Sequence, residues 1–161
     1  MASTYEIRLA NLADAYGIAR MSRDCIEQGL GWSWTETRVE RSIRDRASNV
    51  IVARAGSSLL GFGIMRYGAQ TAHLMLLAVQ PGRRRRGLGT ALVRWLEAPA
   101  QAAGIEKIQV ETRADSAAAR PFYLHLGYRE VARIPGYYQG MEDGLRLEKM
   151  LLSAVTERGT Q

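Results

Sequence analysis

A single mixed α/β domain is what this sequence predicts, and three observations predict it. The chain has 161 residues, the length of one ordinary domain with a sizeable core. Apolar residues make up 47% and charged residues 24%, close to globular averages, so neither disorder nor a disulfide scaffold is expected. The apolar pattern changes repeatedly between the two-residue period of strands and the helical period, with no internal repeat or low-complexity linker.

Taken in order, Ile7, Leu9 and Leu12 lead from a first strand into a helix over 14–27, where Ile18, Met21, Cys25 and Ile26 recur at helical spacing. Gly29-Leu30-Gly31 with Trp32 and Trp34 interrupts it, and Thr35 offers an N-cap for a second helix to about Arg46. The runs 50–55 and 59–66, separated by Gly56-Ser57-Ser58, read as a hairpin, and 71–79 reads as a further, almost wholly apolar strand. A helix is expected over 87–102, limited or kinked by Pro99, followed by an alternating strand over 107–112 that puts Gln109 and Glu111 opposite Ile108 and Val110. Ser116 begins a helix that stops at Gly127, and 128–134 and 144–151 are the last strands, with 135–142 as the loop between them. The expected domain covers 1–153, with a loose tail over 154–161.

Composition narrows the functions. No stretch approaches the roughly 18 apolar residues of a membrane span, and the N-terminus lacks a basic start followed by an apolar run, so no membrane and no export are expected. One cysteine, Cys25, allows no intrachain disulfide, and a cytoplasmic setting is the simplest expectation. With two histidines and no metal-spaced cluster, no metal is expected. The net charge of +6 attracts anions of several kinds. Nearly all the cations are arginine, Lys107 and Lys149 being the lysines, and the one dense run is Arg83 to Arg86.

That run precedes Gly87-Leu88-Gly89-Thr90 at a strand-to-helix turn. A helix N-terminus presents unpaired N–H groups and a partial positive charge, and glycine lets a phosphate approach the backbone. A P-loop would need Gly-Lys-Ser/Thr, which is absent; a dinucleotide fingerprint would need glycine where Leu92 stands. The four arginines alone would also suit a nucleic-acid patch, but they lack interleaved aromatics and sit at one turn rather than along a face, so no nucleic acid is expected.

The remaining pattern, Arg84-x-x-Gly87-x-Gly89, resembles the cofactor loop of the GNAT superfamily of N-acetyltransferases. Downstream, Ser116 to Tyr128 resembles that family's second motif, a helix ending in Phe-Tyr-x-x-x-Gly-Phe/Tyr, here Phe122-Tyr123 through Gly127-Tyr128. Ser116 stands where the family commonly has Asn, and Pro121 is unusual inside the helix. The resemblance runs from about Ile7 to Leu151. It implies a mixed, mostly antiparallel twisted sheet of six to seven strands flanked by about four helices and splayed where the fourth strand meets the fifth, with acetyl-CoA in the split. Leu77, Ala78, Val79, Arg84, Arg85, Arg86, Gly87, Leu88, Gly89, Thr90, Ser116, Ala119 and Tyr123 are the implied cofactor residues.

A closer resemblance is to the ribosomal-protein-type N-terminal acetyltransferases, through Trp34-Thr35-Glu36, Val110-Glu111-Thr112-Arg113-Ala114 and Gly136-Tyr137-Tyr138 followed by Glu142-Asp143. It implies Glu111 as general base and Tyr123 as general acid. The chemistry supports both types: an α-amine titrates at about 8 and must lose a proton before attack, and the departing thiolate needs a donor such as a phenol of pKa about 10. Backbone N–H groups of the strand holding Leu77, Ala78 and Val79 are the implied oxyanion donors, and that strand is also expected to pair with the pantetheine amides. Glu111 also fits a plain solvent-facing strand position, and Tyr123 fits core packing. Cys25 reads as a core residue, so direct transfer without an acyl-enzyme is expected. His73 and His125 show no visible Ser or Asp partner arrangement and read as structural.

Trp32, Trp34, Glu36, Tyr137 and Tyr138 fall in segments that flank the acceptor groove in the family, with Glu36, Glu142 or Asp143 available to attract an ammonium group. The expected acceptor is a protein N-terminal α-amine. A small-molecule amine (metabolite, polyamine or antibiotic) is the alternative, and a non-catalytic CoA- or nucleic-acid-binding module is a third reading. Family comparison also allows a homodimer.

Overall fold

The structure, a computed structural model, describes residues 4–84 and 87–151. Arg85, Arg86 and the expected tail lie outside them. Seven strands form one mixed sheet in the order β1-β2-β3-β4-β5-β7-β6: β1 (Glu6–Leu9), β2 (Ser48–Ala55), β3 (Ser58–Tyr67), β4 (Thr71–Val79), β5 (Lys107–Arg113), β6 (Arg129–Tyr138) and β7 (Glu142–Met150). The helices are α1 (Ala15–Cys25), α2 (Glu36–Arg44), α3 (Leu88–Ala102) and α4 (Ala119–His125). β1 with β2, β2 with β3, β5 with β7 and β6 with β7 are antiparallel, whereas β4 and β5 are parallel. The β4–β5 ladder runs from Thr71↔Lys107 to Leu74↔Val110 and stops there, at the junction where the sequence predicts the sheet to splay. No helix is long and apolar enough to cross a membrane among the described residues.

The chain divides into two compact units. The first holds the chain up to Arg66 together with Met75–Leu96. Ile18, Met21 and Val39 of α1 and α2 pack with Val50, Val52, Phe62 and Ile64 of the sheet, and Trp34 joins them. Asp14 organises its edge. Its carboxylate caps the turn by accepting the Asn11 N–H at 2.8 Å, and it binds Arg8 of β1 and Arg54 of β2, each at 2.9 Å. The expected first helix therefore begins later, because this 3-10 turn over Leu12–Asp14 precedes α1. It also ends earlier than expected, at Cys25, since Glu27 turns back to accept the Ser22 hydroxyl, the Ser33 N–H and the Trp34 N–H. Likewise α2 ends at Arg44, where Asp45 closes a turn by accepting the Ala47 N–H and the Ser48 hydroxyl.

Two glycines let the strands of this unit approach their neighbours. A Cβ at Gly61 would lie 2.8 Å from the Ala78 carbonyl oxygen and 3.2 Å from Leu92 Cδ1; at Gly63 it would meet the end of the Leu96 side chain at 2.8 Å. A side-chain tip can rotate away but a strand carbonyl cannot. Gly61→Val is expected to destabilise the protein by about 1–3 kcal/mol, read as a lower denaturant midpoint at unchanged slope; Gly63→Ala should cost less.

The second unit holds Tyr67–Leu74 and the chain from Glu97 onward. Ile108, Val110, Tyr123, Leu126, Leu145 and Leu147 are buried in it. Glu97, 4% exposed, accepts the Tyr128 hydroxyl at 2.8 Å and the Lys149 ammonium at 3.2 Å, so α3, β7 and the residue after Gly127 are tied at one point. Pro99 lies inside α3, which continues to Ala102. The helix expected from Ser116 is α4, beginning at Ala119; the Ser116 hydroxyl accepts the Ala119 N–H at 3.3 Å and closes the turn before it. The expected 135–142 loop is mostly strand: β6 extends to Tyr138 because Gly136, at φ +65°, allows an irregularity in the β6–β7 register, and Asp143 holds it by accepting the Gly136 N–H at 3.0 Å.

Candidate active site

In the first unit, β4 ends at Val79 and a 3-10 turn, Pro81–Arg83, leads toward α3. Leu77, Ala78 and Val79 are the last residues of β4 and lie beyond its final pair with β5. Arg84 is folded back on this strand, its Nε–H donating to the Val79 carbonyl at 3.1 Å. Gly87 has φ +81°, a conformation that suits glycine, and nothing lies within 4 Å of where its Cβ would be. Its carbonyl accepts the Ala91 N–H at 3.0 Å, so Leu88, Gly89 and Thr90 form the first turn of α3. Their N–H groups have no earlier carbonyl of the helix to bind. Open space at a left-handed glycine, a helix N-terminus and an adjacent guanidinium together suit a pyrophosphate, so these residues fit CoA.

Also in this unit, Trp34 is 8% exposed and belongs to the core, with the Arg38 guanidinium carbon 3.8 Å from its ring centroid. Trp32 is exposed, with Arg23 at 5.4 Å from its ring centroid, and Glu36 is the exposed first residue of α2. Cys25 is half-buried; desolvation pushes its thiol up despite the nearby Arg84 cation.

The second unit gathers a polar cluster around Glu111. The burial of β5 alternates as expected, so Glu111 lies on the face opposite Ile108 and Val110, yet its side chain is only 3% exposed. Oε1 is 2.5 Å from His73 Nε2 and accepts the Tyr137 hydroxyl at 2.9 Å. Oε2 accepts Arg146 Nε–H at 3.0 Å and Gln109 Nε2–H at 3.0 Å. Burial alone would raise this carboxyl, but the bonds from His73, Arg146 and Tyr137 outweigh it and hold Glu111 at about 2. Tyr137, still 40% exposed, is pushed up to about 12 by burial and by the negative charge beside it. Tyr138 packs edge-on against Tyr137 at 4.9 Å between centroids and is raised mainly by burial.

Tyr123 of α4 is 5% exposed, edge-on to Tyr128 at 5.4 Å. Among the described residues its hydroxyl has no hydrogen-bond partner, and the one fully enclosed side-chain polar atom without a partner is Thr112 Oγ1. The Tyr123 ring is part of the core. Burial raises its pKa well above the ordinary phenol value, so it remains a proton donor at neutral pH.

Glu142 and Asp143 do not stand free for an ammonium group. Arg113 Nε–H donates to Glu142 at 2.6 Å, and Arg133 Nη2–H donates to Asp143 at 2.9 Å. They line an open cleft of about 330 Å³ with Ala114, Asp115, Arg133 and Met141. His73, read from the sequence as structural, contacts Glu111. Strand pairing makes that contact, since His73↔Gln109 is a β4–β5 pair and Glu111 lies two residues beyond on the same face. The available signal was one imidazole inside an otherwise apolar strand. Arg146 was missed for a related reason: its partner, Glu111, sits opposite it only through the β5–β7 register. His125 is exposed near the end of α4.

Residues 15–128 match the model of the acetyltransferase (GNAT) family. The chain is 35% identical over 101 residues to the uncharacterized N-acetyltransferase MJ1530 of Methanocaldococcus jannaschii, covering 61% of this chain and 64% of that protein. It is 30% identical over 122 residues to the [ribosomal protein bS18]-alanine N-acetyltransferase of Escherichia coli, covering 74% and 82%. The crystal structure of the latter superposes with a TM-score of 0.76 at 25% identity, over 92% of this chain and 94% of that one. Ard1 from Thermoplasma volcanium superposes at 0.80 and 22% identity, over 92% and 99%. The chain belongs to the GNAT family and is an acetyl-CoA-dependent N-acetyltransferase.

Proposed function

We propose that this protein acetylates a protein N-terminal α-amine by direct attack in a ternary complex. The observation that carries the reading is the Glu111 cluster: a buried, permanently anionic carboxylate beneath Tyr137, on the hairpin that carries the N-terminal-acetyltransferase-like run Gly136-Tyr137-Tyr138. The 30% identity to an enzyme that acetylates the alanine of a ribosomal protein supports the same acceptor class.

Bound acetyl-CoA would supply the acetyl group as a thioester. Arg84 and the first turn of α3 bind its phosphates, and the backbone of Leu77–Val79 offers the N–H groups for pantetheine and for the developing oxyanion. Ser116 and Ala119, at the start of α4, are the cofactor residues of the second unit in this reading. Glu111 provides the negative charge that draws the amine's proton, and the Tyr123 hydroxyl protonates the departing sulfur. Tyr137 and Tyr138 supply aromatic surface to the acceptor.

The direct test is release of CoA thiol from acetyl-CoA with free-N-terminus peptides, Nα-blocked lysine peptides, polyamines and aminoglycosides. Turnover with free α-amines alone is the expected result; turnover with small amines alone would move the acceptor to metabolites or antibiotics. In the same assay Arg84→Ala should raise the KM for acetyl-CoA about tenfold or more, the size of one lost hydrogen bond to a charged group, with kcat little changed. Unchanged cofactor affinity alongside weakened RNA binding would instead assign the arginines to nucleic acid.

A further inference from the structure

We propose that the outward face of the layer formed by α1 and α2 binds single-stranded RNA, a function separate from acyl transfer.

In the first unit this layer covers one face of the sheet, with Ile18 and Met21 of α1 and Val39 of α2 turned inward. What it turns outward is charge and aromatic surface. On α1, Tyr16, Arg20 and Arg23 are exposed and follow one another at intervals of four and three residues, so they form one stripe along the helix. On α2, Arg41 and Arg44 stand three residues apart, Arg46 follows the helix, and all three are exposed.

Rings are set among these cations. The Arg20 guanidinium carbon lies 5.8 Å from the Tyr16 ring centroid, that of Arg23 lies 5.4 Å from Trp32, and that of Arg38 lies 3.8 Å from Trp34. Tyr16 is 58% exposed and Trp32 41%, so both offer a ring to a ligand. A base can stack on such a ring, or on a guanidinium plane, while the adjoining phosphate meets the charge.

The cations are not spent on carboxylates. Among the described residues none of Arg20, Arg23, Arg38, Arg41, Arg44 and Arg46 forms an ion pair. Arg8, Arg54, Arg113, Arg133 and Arg146 each bind one. Of the acids on the same segment, Glu27 is buried beneath the Ser22, Ser33 and Trp34 donors, and Asp45 is held by Ala47, Ser48 and Arg66. Asp24, Glu36 and Glu40 remain against the six arginines, which leaves an excess of positive charge.

The aromatic surface selects the partner. An acidic peptide needs the arginines alone, and a lipid headgroup layer needs an apolar helix face to insert. Rings alternating with cations match bases alternating with phosphates. A duplex keeps its base faces stacked, so the fit is to an unpaired strand. The run Arg83 to Arg86 has the charge without the rings, which places RNA on the helices and not on the cofactor turn.

The test is fluorescence anisotropy with a labelled oligouridylate of about 12 nucleotides, read with CoA at saturation so that the cofactor turn is occupied. Log affinity should fall against log salt with a slope of about −2 to −4, as for roughly three to six phosphates neutralised on a single strand. Arg20→Ala with Arg23→Ala should reduce that slope by about one unit or more. At constant salt Trp32→Ala and Tyr16→Ala should each weaken binding by about fivefold or more, and Trp32→Phe should retain most of it. Thiol release by the Arg20→Ala and Tyr16→Ala variants should stay at the wild-type rate, which separates this surface from the catalytic reading. RNA displaced by CoA would assign the binding to the cofactor turn and overturn the proposal. Polyglutamate held as tightly as RNA, or folded Trp32→Ala and Tyr16→Ala variants with unchanged affinity, would reduce it to attraction between charges and overturn it equally. Binding to phosphatidylglycerol vesicles with none to RNA would assign the face to a membrane surface instead.

Discussion

Glu111→Gln is expected to lower kcat by about 10²-fold or more, and Tyr123→Phe by a similar factor, each with acetyl-CoA affinity within a few-fold of wild type. In the glutamine variant one acceptor oxygen becomes an NH₂ group in a shell that contains only donors: His73, Tyr137, Arg146 and Gln109. For Tyr123 the lost group is a hydroxyl that has no hydrogen-bond partner among the described residues, on a ring that packs against Tyr128, so the phenylalanine variant should keep its fold and lose its proton donor. The two effects separate by pH. With Glu111 held at about 2, its carboxylate is ionised throughout the range from pH 4 to 9, so any acid-side loss of wild-type activity there belongs to another group. Thiol release by purified variants, with unfolding curves as controls, measures both. Wild-type turnover in Glu111→Gln and Tyr123→Phe would refute the roles given to them.

Asp14→Ala is expected to destabilise the protein by about 1.5–3 kcal/mol at neutral pH, the size of lost hydrogen bonds between charged groups whose arginine partners are part-exposed. The Asp14 side chain is 4% exposed and holds Arg8, Arg54 and the Asn11 N–H, so its loss leaves two guanidinium groups facing a void and uncaps the turn before α1. Burial opposes the charge, but the bonds from Arg8, Asn11 and Arg54 prevail, and the folded-state pKa lies below the ordinary value. A depressed carboxylate contributes its stability above the unfolded pKa of about 3.9 and loses it as pH falls through the lower folded value. The gap between wild type and Asp14→Ala should therefore be widest at neutral pH and narrow as the buffer is taken below about pH 4. Urea unfolding at pH 7 and at pH 3 checks this; a gap under about 1 kcal/mol at pH 7 would show that the clamp is dispensable.

Local chemistry was legible in the sequence wherever neighbours along the chain settled it. The alternation in β5 put Glu111 opposite Ile108 and Val110, Gly87-Leu88-Gly89 marked the start of α3, and Gly56-Ser57 marked the β2–β3 turn. Each depends on periodicity or on a backbone conformation that few residue types adopt. The order of the Arg-x-x-Gly-x-Gly and Phe-Tyr motifs sufficed for the family. What tertiary structure alone decided is how far each polar side chain is from its partner in space. His73 and Glu111 are 38 residues apart and meet through the parallel β4–β5 register, while Arg146 reaches Glu111 through β5–β7 pairing. Glu142 and Asp143, free acids on paper, are consumed by Arg113 and Arg133, and Trp34 turns inward under Arg38. Sequence pattern assigns a face, but which groups meet on that face depends on strand register, and register is a property of the assembled sheet.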